Sequence, residues 1–393
     1  MKIAISFLKI GSEFQGIFSV ALGLVEDVIK DKNNQISIII DNSSFKNNLK
    51  SRFPDVEIIY LKNDRGQIIK KISIFIYLFL GLEFLKKIFC KSFIDIENRN
   101  FDIIIHPNWS IYSFGLKTFS IASVHDTAFN NKDYKQSILH KIKLKYLIKL
   151  ICKYSNIILC ESETGKKDII NIFKTDPNKI LIRLNLPDVQ FKKISNKPRQ
   201  IFSEKFKKLK NERFLLLPSR WGQYKNQPRV IKSLEKFNLE KKDSLKLVLT
   251  GVENDIEEIN LFMNQNKLSK ENLIIYPSVE INELIELYQN AYALVFPVLL
   301  GPTSIPFYEA LENNCPIITS NLEGHKEVLG DAAIFVDPFS EESIYKSFIE
   351  LNDKTILSLK QRMLKQKRYL ENIQQENNWL NNSLNIFQNL ISH

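Results

Sequence analysis

Short apolar runs of strand length, separated by segments with helical spacing, constrain this chain more than any other feature. Such alternation is satisfied by a parallel sheet covered by helices on both faces. The first series occupies residues 3–8, 35–40, 56–60, 102–106, 120–124 and 157–159. Between the first two runs, Ile17, Ala21, Leu24, Val25 and Val28 recur at the period of one helix face. The pattern pauses at 187–200, a polar basic stretch holding Lys192, Lys193, Lys197, Pro198 and Arg199, which reads as a linker. A second series follows at 214–217, 245–249, 273–276, 293–296, 316–319 and 333–336, with helices expected over 282–290, 305–312 and 341–352. At 393 residues the chain exceeds what one core supports. Two doubly wound α/β domains are therefore expected, over 1–195 and 200–370. A polar helical tail rich in Asn and Gln, at 371–393, is expected to pack back on the amino half.

Composition narrows the partners. Hydrophobic residues at 44% and charged residues at 25% exclude a disordered chain and a multi-span membrane protein. The excess of 55 Lys and Arg over 44 Asp and Glu gives a net charge of +11. That balance suits nucleotide phosphates, an anionic bilayer or nucleic acid. Nucleic acid is set aside because the cations are dispersed and no recognition motif accompanies them. Cys90, Cys152, Cys160 and Cys315 stand far apart, without zinc-type spacing. The chain opens directly on a strand pattern with no export leader, so a cytoplasmic setting is expected. Residues 72–85 are nearly all apolar between Lys70, Lys71 and Lys86, Lys87. This run is shorter than the roughly 20 residues a spanning helix needs. It reads either as a buried helix or as a peripheral anchor, through 70–87, at the inner face of the cytoplasmic membrane.

Doubly wound sheets bind ligands at the carboxyl ends of their strands, where loops meet helix amino termini. After the 293–296 strand, Pro297 leads through Gly301, Pro302 and Thr303 to a helix begun by Ser304 and Ile305, with Pro306 in its first turn. Free N–H groups and the positive end of the helix dipole suit a pyrophosphate there. Glu309, one turn in, either accepts from ribose hydroxyls or complements the dipole. After the 214–217 strand, Arg220 and Lys225 stand five positions apart. Fixed cations of this kind stabilise the charge left on a diphosphate without a metal, and otherwise form a solvated basic turn. Gly16, at the start of the first helix, allows close backbone approach to a phosphate or sugar, or simply makes a tight turn. The loop lacks the spacing of dinucleotide and P-loop sites. His125 and Asp126 end the 120–124 strand and face the same cleft. Asn108 and Trp109 are weaker candidates on the acceptor side, and residues 160–164 offer Ser162 or Thr164 as a helix cap. The basic segment 140–149 reads as a docked helix with a solvated lysine face, with a membrane site as the alternative.

The segment 281–338, in its order of strand, loop, Glu309 helix, second strand and the Glu327–Ala333 stretch, resembles the retaining nucleotide-sugar glycosyltransferases of the GT-B fold, family four (glycosyl transferases group 1). The resemblance implies two Rossmann-like domains facing a cleft. It implies Glu309 on the donor ribose, Arg220 and Lys225 on the diphosphate, and Gly16 near the phosphates; where the family has a glycine-rich approach this chain has Pro302, which lacks an N–H, so Thr303, Ser304 and Ile305 are expected to supply the phosphate donors. It also implies His125 near the donor sugar. No metal and no cofactor are expected: the nucleotide-sugar donor is a substrate, and the acceptor is a saccharide or a lipid-linked sugar in surface polysaccharide assembly. One departure stands out, since Gly301 occupies the place of the family's first motif Glu, which contacts the donor sugar. A related sugar-nucleotide epimerase and a catalytically inactive binding module are the alternatives.

Overall fold

A computed structural model describes residues 1–11, 16–61, 91–109, 118–131, 136–198 and 202–391. The apolar 72–85 run, its flanking lysines and Ser12–Gln15 lie outside the described residues. The amino half is built on β1 (Lys2–Ser6), β2 (Gln35–Ile40), β3 (Glu57–Tyr60), β4 (Ile103–His106), β5 (Phe119–Ser123), β6 (Ile157–Cys160) and β7 (Ile180–Ile182). Their order in the sheet is β3-β2-β1-β4-β5-β6-β7. The carboxyl half contains β8 (Phe214–Pro218), β9 (Lys246–Thr250), β10 (Leu273–Tyr276), β11 (Ala293–Phe296), β12 (Ile317–Ser320) and β13 (Ile334–Val336), in the order β10-β9-β8-β11-β12-β13. Every described pairing is parallel, in registers such as Ile5↔Ile38 and Val295↔Ile318.

The reason the strands read as continuous apolar runs is visible at β1. Ile3 and Ile5 feed the core on one face of the sheet while Ala4 feeds the core on the other. Both faces are dry, so no position is left to alternate as polar. In each sheet the strand order reverses once, between β1 and β4 and between β8 and β11. The crevices at these switch points, beyond the strands' carboxyl ends, are where such folds take ligands.

The stretch read as a linker is partly ordered secondary structure. Asp188 accepts from the Phe191 N–H at 2.7 Å and starts a helix, Val189–Ser195. Phe191 and Ile194 from this helix enter the carboxyl-half core. Lys192 and Lys193 gave the segment its polar look, but the helix turns its two large apolar residues inward.

The last two helices divide between the halves. Asp353–Asn377 packs Leu359, Met363 and Leu370 on the carboxyl half. Trp379–Ile391 crosses to the amino half, where Trp379 and Leu380 are buried and the Phe387 ring meets Phe119 edge-on at 5.2 Å. Asp27 Oδ2 accepts from Trp379 Nε1 at 3.1 Å and from Arg183 Nε at 2.8 Å.

Candidate functional site

The turn after β8 carries Lys225 and is fixed from three sides. Gln227 Nε2 donates to the Arg220 carbonyl at 2.7 Å, and Asp255 accepts from the Trp221 N–H at 2.9 Å. Asn226, with φ 67°, adopts the left-handed conformation that Asn tolerates. Its buried Nδ2 donates to the carbonyls of Pro297 and Pro338 at 2.8 and 2.7 Å. The loops after β8, β11 and β13 thus share one side chain. Held in this way, Lys225 is half-buried, with Nζ 5.0 Å from the Phe296 ring centroid and 4.9 Å from that of Tyr224. It forms no ion pair among the described residues. Desolvation pushes its pKa down to about 8, against the pull of the Asp126 charge facing it from the amino half. Arg220 is exposed and also without an ion pair among the described residues.

The loop after β11 sets the other wall. Ser304 has extended backbone and caps the Ile305–Glu312 helix without a side-chain bond, so the first amides of this helix are not covered by its hydroxyl. The Thr303 hydroxyl, expected at the phosphates, instead donates to Glu161 of the amino half at 2.8 Å, which leaves only the Thr303 backbone N–H for an anion. Gly301 sits at φ 114°, in the region that favours glycine. A glutamate in this backbone conformation would be strained. The neighbouring Pro302 lies against the Glu323–Leu329 helix so tightly that a Cβ on Gly324 would stand 2.1 Å from the Pro302 carbonyl oxygen.

Glu309 is half-buried, and its Oε2 accepts from the buried Tyr288 hydroxyl at 2.8 Å. Burial raises its pKa to about 7, with the Tyr288 bond working in the opposite direction. A carboxylate of this kind, fixed by one oxygen, suits hydroxyl recognition better than a solvated residue that only answers the helix dipole. Gly16 opens the Gly16–Ile29 helix, and a Cβ there would come 2.8 Å from Ile305 Cδ1. The space expected for a ligand is taken by Ile305, so these two candidates meet each other across the halves.

His125 occupies the amino-half wall. Its Nδ1 lies 2.6 Å from Glu161 Oε1 and its Nε2 lies 2.6 Å from the Pro107 carbonyl oxygen. A carbonyl only accepts, and so does an ionised carboxylate, so both ring nitrogens carry protons and the ring is an imidazolium. Burial opposes this charge, but the bond to Glu161 and its charge outweigh it and raise the His125 pKa. Glu161 is correspondingly lowered: burial raises it, and the His125 bond and charge more than compensate. Both ring nitrogens are thus engaged within the protein, and what His125 offers the cleft is its charge. Asp126 accepts from the Ala128 N–H at 2.9 Å and is raised chiefly by burial. The Trp109 ring stacks near His125 at 6.2 Å, and Asn108 donates to the Lys9 carbonyl at 2.9 Å. His106 is buried with neither nitrogen partnered among the described residues, and desolvation pushes its pKa down to about 3.

Several residues of this site were not among the sequence candidates. Glu161 binds His125 and Thr303 together. Glu327 accepts from the N–H groups of Glu163 and Thr164 at 2.6 and 2.9 Å and from the Thr164 hydroxyl at 2.8 Å, capping the Glu163–Phe173 helix from the opposite half. Ser162, one of the two cap candidates read from the sequence, supplies that helix's own cap, accepting from the Gly165 N–H at 3.0 Å. His325 is buried beside the loop, its Nδ1 3.1 Å from Thr319 Oγ1, and burial lowers its pKa to about 4. The signal for Glu161 was its place directly after β6, at a strand's carboxyl end. Among the described residues no cluster of three or more His, Cys, Asp or Glu has metal-binding geometry, and no helix is long and apolar enough to cross a membrane.

Comparison with known proteins supports the two-sheet fold. The family model of the glycosyl transferases group 1 matches residues 198–369. The O-antigen chain mannosyltransferase RfbU of Salmonella typhimurium is 29% identical over 210 residues, covering 53% of this chain and 55% of the relative. The chain spans a little over half the length of the curated relatives it matches. Among solved structures, HepE of Anabaena in complex with UDP-glucose superposes with a TM-score of 0.69 at 12% identity, covering 100% of both chains. WaaG, a glycosyltransferase involved in lipopolysaccharide biosynthesis, gives 0.66 at 13%, covering 93% of this chain and 95% of the other. Residues 198–369 are thus similar to the glycosyl transferases group 1, and the chain shares the two-sheet GT-B fold of these solved structures.

Proposed function

We propose that the chain is a glycosyltransferase that moves a sugar from a nucleotide-diphosphate donor to a saccharide or lipid-linked acceptor, with retention at the anomeric carbon. The observation that carries this reading is Lys225, a half-buried ammonium without an ion pair among the described residues, held at the β8–β11 switch point beside the amino end of the Ile305–Glu312 helix. A desolvated cation that only the Asp126 charge faces, with no carboxylate in ion-pair contact among the described residues, suits a ligand that brings its own negative charge. In this reading Lys225 and Arg220 receive the diphosphate, the amides at Thr303, Ser304 and Ile305 complete its cradle, and Glu309 holds the ribose. The His125 imidazolium faces the donor sugar. These groups answer the charge that develops on the leaving diphosphate with fixed cations and backbone amides, so no metal is required. The names of RfbU and WaaG support a place in surface polysaccharide assembly.

The test is thermal denaturation with UDP, GDP, dTDP, ADP and CMP at about millimolar concentration, where a ligand at a hundred times its Kd adds about 2.7 kcal/mol. One diphosphate nucleotide is expected to stabilise the wild type and to lose its effect in Lys225→Ala and Glu309→Ala. No stabilisation by any of the five would overturn the reading. Product analysis with the stabilising nucleotide's sugars then separates transfer from epimerisation, which releases free nucleotide and a rearranged sugar without an acceptor.

A further inference from the structure

The Ile138–Tyr154 helix has two unlike faces and an unlike beginning. Its inner face buries Ile148 and Ile151, with Leu144 and Leu147 packed beside them against the amino-half core. Its first turn projects away from that core: Ile138 is 76% exposed, Leu139 80% and Ile142 60%. Large aliphatic side chains scattered singly on a surface need no explanation, but three on one turn do. Further along the same outward side, Lys145, Lys149 and Lys153 follow Ile142 at intervals of three and four residues, and no Asp or Glu occurs anywhere in the helix. An apolar tip followed by a lysine rail is the pattern of a segment that lies at a charged interface.

We propose that this face docks on the surface of a bilayer containing anionic phospholipid, with Ile138, Leu139 and Ile142 entering the acyl boundary and the lysines meeting headgroup phosphates. Charge complementarity selects this occupant: the helix is wholly basic in a chain of net charge +11, so a second copy of the chain would set lysine against lysine. The location adds a reason. The helix follows β5, and in a parallel sheet the helix after a strand begins at that strand's carboxyl end, the edge that carries His125 and Asp126. Docking through this turn therefore brings the cleft mouth to the membrane, where a lipid-linked acceptor would be presented. The surface itself stands independently of the donor chemistry.

The experiment is co-sedimentation of the full chain with vesicles of phosphatidylcholine containing about 30% phosphatidylglycerol, against pure phosphatidylcholine. The wild type is expected to sediment with the anionic vesicles and to be released at about 0.5 M salt. Leu139→Asp/Ile142→Asp is expected to lower the affinity at least about tenfold, and each of Lys145→Gln and Lys149→Gln about fivefold. Circular dichroism and nucleotide-dependent melting of these variants should match the wild type, which separates lost docking from lost folding or a failed donor site. Equal binding of wild type and variants to anionic vesicles overturns the proposal, as does no binding by the wild type. A dimer abolished by Leu139→Asp, with no vesicle binding, would assign the face to a second copy instead.

Discussion

The imidazolium assignment at His125 can be tested through Glu161→Gln. The amide keeps the shape of Glu161 and an acceptor for the Thr303 hydroxyl, but it removes the charge that holds both protons on the His125 ring. His125 and Glu161 are only 16% and 12% exposed, so the pair is close to the buried limit. Breaking a buried pair by neutralising one partner costs about 3–5 kcal/mol, and the residual exposure and retained hydrogen bond favour the lower end, about 3 kcal/mol. For a domain of this size that lowers Tm by about 6–12 °C. The pH dependence gives the sharper test. The folded pKa of His125 is raised above its ordinary 6.5, so its contribution is complete below that value and is lost as pH rises through the folded pKa. Glu161 is lowered from its ordinary 4.5, so its contribution is present above that value and is lost as pH falls through the folded pKa. The stability gap between wild type and Glu161→Gln should therefore be widest between 4.5 and 6.5 and should narrow on the alkaline side. Scanning calorimetry from about pH 5 to 9 measures it. A gap below about 1 kcal/mol, or one that stays flat as pH rises, refutes the assignment.

Four further outcomes follow from the same geometry. Gly324→Ala should destabilise the chain by about 2–3 kcal/mol or more, because backbone rather than a flexible side chain occupies the added methyl's place; an unchanged melting curve would show that the Pro302 loop yields freely. Nucleotide stabilisation of the wild type should weaken as pH rises through about 8, where Lys225 loses its proton, and Lys225→Arg should remove that loss because guanidinium stays charged; titrated melting curves show whether it does. If the transferase reading holds, Lys225→Ala should also slow turnover by roughly ten- to a hundred-fold. Glu327→Ala should uncap the Glu163–Phe173 helix at a cost of about 1–2 kcal/mol, and hydrogen exchange should show the amides of Glu163 and Thr164 opening roughly tenfold faster.

The strands were legible because a doubly covered sheet leaves no polar alternation to confuse the reading. The runs at 35–40, 273–276 and 293–296 and the helix at 305–312 coincide with the observed elements residue for residue. β7 escaped notice because Ile180–Ile182 is only three residues long and follows a tight turn at Pro177–Lys179. The Val189–Ser195 helix was hidden by its lysines, since composition averages over a face that spacing would have separated. At the site, the placing of Lys225 and Glu309 just beyond strand ends could be read locally. The His125–Glu161–Thr303 connection could not, because its contacts join residues 36 and 142 positions apart, the second pair on different halves. The constraint on Gly324 is likewise a matter of approach between two backbones, which no local pattern records.

Asp27 has a mechanical consequence. The chain leaves the amino half just after β7 and returns to it at the Trp379–Ile391 helix, and one carboxylate holds a residue of each passage, Arg183 on the way out and Trp379 on the way back. Two crossings that meet at one carboxylate depend on it together, so neutralising Asp27 would loosen the chain's exit from the amino half and its return in a single step.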